Sequence, residues 1–407
     1  MVLSGSLAAP LFSVFIPAWT DEFGWSRTAI SGVFSFATVI AALFGPIVGK
    51  LLDTYGGRAV MTVGALLMGF SLISIGFVQN LIALYLAFSI GRTAMMNIQN
   101  LAGHTVIANW FIRRRAFATA LAINGSRVGL GIWPLIAALI ISFWGWREAF
   151  WILGCLVSLF AVVPWLLVVA RRPEEIGLNP DGESISFLQI KDNQSASIEA
   201  DWTTRDAITT KAFWLLMVTH MSAMVAGGGF GLHRIPLFLD QGLNQSLIGP
   251  ILLTHAVGML IGGFFAAWLL SHVGHRLVLS VFMLAGVIVM LVAIELSQGV
   301  PMLIFTFIES AAFGGIFSIL PVVYADYFGR YSIGKIRGIT HPVVIASNAI
   351  GPLVAGYAHD KNGDYSTALV FFAVVLCVGS LCAYFASPPH RKGMLNRKTS
   401  ACRTEIT

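Results

Sequence analysis

Arg92, Arg234 and Glu309 stand inside long apolar runs, at 81–108, 212–239 and 302–325. A charged side chain in hydrocarbon costs at least a few kcal/mol, so an ionisable residue there is a functional candidate by default. Arg92 falls near the middle of its run, and Met96, Gln99 and Gly103 follow at i+4, i+7 and i+11 on one helical face. A guanidinium offers a forked set of donors that matches a carboxylate, which makes this stripe a candidate anion site. The alternative is a structural Arg paired with a neighbouring helix. His233 and Arg234 follow the glycines 227–229 and 231 and precede Pro236. Those glycines predict a helix that breaks or bends, freeing backbone groups. Arg234 either binds substrate or snorkels to the interface. His233 either takes up a proton near neutral pH or is a satisfied polar group at a helix end. Glu309 lies about a third of the way along its run; a buried carboxyl that gains and loses a proton suits a reversible proton carrier. A Glu309–Arg92 or Glu309–Arg234 pair predicts that a substrate carboxylate displaces Glu309 from the Arg while Glu309 protonates. A fixed ion pair is the competing reading. Asn124 and Arg127, three apart, share a helical face. His220, His255 and His341 are isolated in sequence and fit packing or interface roles better than ligand roles.

A bilayer is needed to position these residues. The 407 residues are 57% hydrophobic and 11% charged, against about 25% charged in a typical soluble domain, and the mean hydropathy is +0.81. Apolar runs near 2–19, 28–49, 59–78, 81–108, 116–141, 148–170, 212–239, 246–270, 277–297, 302–325, 338–358 and 367–386 read as spans 1 to 12 of an all-α membrane protein. Met1 runs almost directly into an apolar segment with no basic region before it, which speaks against a cleaved signal peptide. The polar, charged stretch after span 6 reads as a solvated linker. The predicted organisation is a six-helix bundle at 1–170, a linker at 171–211, a second bundle at 212–386 and a tail at 387–407.

The formal net charge of +6 does not indicate nucleic-acid binding, because Lys and Arg collect in particular loops. Even-numbered loops, linker and tail hold most of them, whereas the odd-numbered loops hold only Arg27, Arg147 and Lys361. This asymmetry predicts a multi-pass protein of a plasma or inner membrane with both termini cytoplasmic. The four cysteines, Cys155, Cys377, Cys382 and Cys402, show no metal spacing. No glycine loop for phosphate accompanies the spans, and the linker is too short and polar to be a catalytic domain. No enzyme activity, cofactor or metal is expected.

One stretch organises the whole chain: Gly49-Lys50-Leu51-Leu52-Asp53-Thr54-Tyr55-Gly56-Gly57-Arg58, a charged turn between spans 2 and 3. Gly56 and Gly57 permit the turn, and Asp53 and Arg58 can pair across it or cap helix ends. A shift of 218 positions lays Gly56 on Gly274, Arg58 on Arg276 and Asp53 on Ser271, which points to a duplicated half-chain unit. The stretch resembles the loop 2–3 signature of the major facilitator superfamily, G-x-L-x-D-x-x-G-x-R. The resemblance implies two pseudo-symmetric six-helix bundles, a central cavity lined by spans 1, 4, 7 and 10, and a gating role for Asp53, Arg58 and the turn at Gly56.

Further pieces resemble the monocarboxylate porter and oxalate/formate antiporter branch. They are Gly24-Trp25-Ser26-Arg27, Trp110-Phe111 before Arg113-Arg114-Arg115, Gly145-Trp146-Arg147, Asp240-Gln241-Gly242, Tyr327-Phe328-Gly329-Arg330 and Gly351-Pro352. The resemblance implies a secondary transporter of a small organic anion, coupled to protons or working by exchange; a monomer is expected. Members of that branch commonly carry a basic residue on span 8 or 11, where this chain has His255 and His341. Anion binding would then fall to Arg92 or Arg234, with Met96, Gln99 and His233 beside them. Asn124 and Arg127 are left unassigned. Efflux of amphipathic drugs, or a non-transporting receptor of the same fold, are the alternatives.

Overall fold

The computed structural model describes residues 6–97, 110, 115–168, 204–296, 299–328 and 333–389. Gln99, Gly103 and most of the linker fall outside them, as do the side chains of Asp53, Asn124, Arg127 and His341. Span 1 is Ala9–Phe23. Spans 2 and 3 form one helical run, Arg27–Ile75, broken at Gly56, whose φ of 80° and ψ of 166° lie where only glycine sits without strain. Span 4 is Leu81–Asn97, span 5 Arg115–Trp144 and span 6 Trp146–Val168. In the second half, span 7 is Lys211–Asp240, span 8 Ile248–His272, span 9 His275–Val292 and span 10 Val300–Phe328. Span 11 comes in two pieces, Ile333–Asn348 and Ile350–Asn362, and span 12 is Ser366–Phe385.

In five of the odd-numbered loops glycine supplies a left-handed residue: Gly24, Gly145, Gly242, Gly299 and Gly363 have φ between 64° and 103°. These turns define one end of the molecule, called here the odd-loop end.

Apolar packing forms two clusters. Phe12, Trp19, Phe34, Phe88 and Phe150 belong to the first, drawn from spans 1–6. Phe213, Phe238, Met283, Phe305 and Phe372 belong to the second, drawn from spans 7–12. Spans 1 and 7 cross between them: Val14 packs in the second cluster and Leu232 in the first. Large apolar side chains such as Phe70, Phe143, Phe264 and Phe385 face outward, as a hydrocarbon solvent allows and water does not.

The glycines of span 7 do not break it. The helix is continuous from Lys211 to Asp240, and the glycines serve close packing instead. A Cβ on Gly228 would stand 2.6 Å from the Asn348 amide nitrogen, and one on Gly229 would stand 2.9 Å from the Gly351 carbonyl. The break falls in the partner, span 11, at Ala349. There Ser35 of span 2 donates to the Ala349 carbonyl at 2.6 Å. Glycine frees the backbone, but neighbours filling the groove hold it helical.

Candidate functional site

Span 8 presses against span 10 along Gly258 and Gly262, where an added Cβ would meet the Phe307 and Ala311 backbones. His255 lies on this same face, three and seven residues before those glycines, so the glycine contact carries the imidazole to Glu309. His255 Nδ1 stands 3.6 Å from Glu309 Oε2. From span 7, Arg234 Nη2 donates to both carboxylate oxygens, at 2.9 and 3.0 Å. The Arg234 and Glu309 side chains are only 3% and 2% exposed. Glu309 therefore pairs with Arg234, not Arg92, and Arg234 does not snorkel. His255, expected to be isolated, belongs to the group. One nitrogen of Arg234 straddles the carboxylate, while its Nε has no hydrogen-bond partner. The guanidinium thus keeps donor capacity for a second anion.

Arg92 is placed differently. It is buried, at 5% exposure. Its Nη1 donates to the Leu7 carbonyl at 2.6 Å, and its guanidinium carbon lies 4.2 Å from the centre of the Phe34 ring. Nε has no partner, and no carboxylate pairs with Arg92 among the described residues. A carbonyl and an aromatic face stabilise a cation only in part, so among the described residues this buried charge lacks a counter-ion. Met96 packs against the first-half apolar cluster.

A third group joins the halves at the odd-loop end. Arg27, Ser31 and Ser35 recur every four residues on span 2 and form one stripe facing the second half. Arg27 Nη2 donates to Asp240 Oδ1 at 2.7 Å, with Nη1 close to the other oxygen. Nη1 also donates to the Tyr365 hydroxyl at 2.6 Å. Asp360 of span 11 caps span 2 across the halves, accepting from the Arg27 and Thr28 backbone N–H groups at 3.0 and 2.8 Å. Ser26, the helix's own cap, takes the Ala29 N–H. The chains approach so closely that a Cβ on Gly356 would stand 2.8 Å from the Arg27 carbonyl.

His233 completes this network, and its partners decide its tautomer. The Pro352 carbonyl, 3.2 Å from Nε2, can only accept, so Nε2 carries the hydrogen and shares it with Ser31 Oγ at 2.8 Å. Nδ1 then accepts from the Tyr365 hydroxyl at 3.0 Å. Burial pushes that phenol above its ordinary range, which keeps it a donor. Both ring nitrogens are occupied, so His233 serves the contact between halves and has none free for a substrate or an incoming proton. Successive residues of span 7 thus face two neighbourhoods: His233 the cross-half network, Arg234 the buried carboxylate.

Arg58 is exposed, and Gly56 sits at the turn as expected. Reasoning from sequence missed Arg27, Ser31, Asp240, Asp360 and Tyr365 as a group. One signal was available: Arg27 is one of only three Lys or Arg residues in the odd-numbered loops.

Helical spans in two packed clusters, with large apolar side chains facing outward and ionisable groups held in the interior, define a polytopic membrane protein. The sequence pattern of the Major Facilitator Superfamily matches residues 1–253 and 229–401, and the chain belongs to that family. It is 24% identical to monocarboxylate transporter 12 of Rattus norvegicus over 92% of this chain and 80% of that protein. It is 22% identical to the probable sulfoacetate transporter SauU of Cupriavidus necator over 92% and 89%. Among solved structures, a bacterial homologue of the human lysosomal transporter Spinster, inward-facing and unoccupied, superposes with a TM-score of 0.70 at 16% identity. That match covers 95% of this chain and 94% of the other.

Proposed function

We propose that this transporter carries a small organic anion, with Arg92 as the group that binds the substrate's carboxylate or sulfonate. The observation that carries this reading is a deeply buried guanidinium with no carboxylate partner among the described residues. A substrate anion supplies the missing charge and recovers part of the cost of burying Arg92. Support also comes from the relatives, whose names specify monocarboxylate and sulfoacetate.

The Arg234–Glu309–His255 group is assigned to coupling. An anion drawn to the free donor of Arg234 loosens its hold on Glu309. The carboxylate, then facing a weaker partner in low dielectric, takes a proton. Transport follows by alternating access of two bundles, 1–170 and 212–386, about a midplane site. Met96 and Gln99 extend the Arg92 stripe, while Asp53, Arg58 and Gly56 act in gating at the opposite end from Arg27. Loop charge supports placing both termini and the linker on the cytoplasmic side of an inner or plasma membrane. The odd-loop end is then the outer end.

Uptake into proteoliposomes under an imposed proton gradient tests the reading, with small monocarboxylates and sulfonates as probes. Arg92→Ala abolishes anion uptake; unchanged uptake would overturn the site. Glu309→Gln loses proton-driven accumulation and keeps part of the exchange. Equal loss of both, in folded protein, leaves Glu309 a structural role only.

A further inference from the structure

We infer that Arg27, Asp240, Asp360, His233 and Tyr365 form a latch that shuts the outer mouth, and that breaking it is the step that opens the transporter outward. The inference rests on contacts between the halves and on the orientation and alternating access proposed above, not on the identity of the substrate.

Three features separate this group from an ordinary surface ion pair. Its members come from both halves: Arg27 and Ser31 from span 2, the others from spans 7 and 11 and the start of span 12. The cross-half capping is reciprocal in charge. The Asp360 carboxylate sits at the positive end of span 2, where it satisfies two backbone donors, and the Arg27 side chain from the same helix end reaches back to Asp240. The contact also continues inward. Below the charged tier, His233 bridges Ser31, Pro352 and Tyr365. One further turn down, Ser35 holds the carbonyl freed where span 11 breaks. Separating the halves here uncovers the span 2 N-terminus, the Asp240 and Asp360 carboxylates and the broken carbonyl together, so the mouth opens as a unit. Spans 5 and 8 also meet across the halves, where Gly249 lies against Leu135 and, deeper, Gly131 against Ala256.

The test is a distance measurement by double electron–electron resonance on the full chain in lipid nanodiscs. Cys155, Cys377, Cys382 and Cys402 are replaced by Ser. Spin labels go on Phe77→Cys and Val300→Cys, exposed positions at the outer end of each half. The parent protein shows a dominant short distance. Arg27→Ala raises the long-distance population by roughly threefold or more, as loss of contacts made in one state alone requires. Asp360→Asn, which keeps the shape and weakens the cap, shifts it the same way. Glu22→Gln breaks the exposed Glu22–Arg147 pair within the first half and leaves the distribution at the parent value. A parent-like distribution for Arg27→Ala in monodisperse protein overturns the latch, as does an equal shift in the Glu22 control. If Arg27→Ala fails to fold, Asp240→Asn decides by the same criterion.

Discussion

The buried charges of this transporter differ in how they are balanced. Glu309 is held by Arg234 and approached by His255, whereas Arg92 has a carbonyl and a phenyl ring. Removing one member of a buried pair strands the other, at a cost of about 3–5 kcal/mol, while replacing both by apolar groups is often near neutral. Arg234→Met alone is therefore expected to lower the melting temperature of the purified protein sharply. Arg234→Met with Glu309→Leu is expected to restore most of it and still fail in proton-driven accumulation. Arg92 has no carboxylate partner among the described residues to strand, only the Leu7 carbonyl, so Arg92→Met should lower the melting temperature far less than Arg234→Met while uptake is lost. That contrast separates a residue kept for folding from one kept for substrate.

Glycine does different work in different elements. At Gly56 it permits the reversal between spans 2 and 3; on spans 7 and 8 it lets backbones approach. An added side chain at Gly262 would collide with Ala311 backbone and force spans 8 and 10 apart, a misfit typically costing about 1–3 kcal/mol or more. Gly262→Leu is expected to melt early and, in whatever protein folds, to separate His255 from Glu309 and impair coupling. Ser35→Ala removes one hydrogen bond at the break of span 11, about 1 kcal/mol. It is a milder probe of that contact, read in the same thermal melt.

For the whole molecule, orientation follows from charge. Lys and Arg crowd the even-numbered loops, linker and tail, and cations resist transfer across a membrane during insertion. A tag fused after Thr407 and one inserted in the linker should be reached by an added protease only after the membrane is opened. A tag in the 296–299 loop should be cut in intact cells. The reverse pattern would invert the assignment and move the Arg27 latch to the cytoplasmic end.

That the chain crosses a bilayer many times, that its two halves are related and that certain ionisable residues stand inside long apolar helices could be read before any coordinates. Those properties follow from composition, run length and repeats, which are local and additive along the chain. The turn at Gly56 was legible for the same reason. Packing in three dimensions was needed to show that Glu309 pairs with Arg234 and not Arg92, that His255 joins them, and that span 11 rather than the glycine-rich span 7 is interrupted. Only it brought Arg27 to Asp240 and Asp360, residues far along the chain. Helical periodicity states which face a side chain is on, but which neighbour meets that face depends on how closely backbones pack. That is settled by the small residues and side-chain volumes of both partners at once, and no single stretch of sequence contains both.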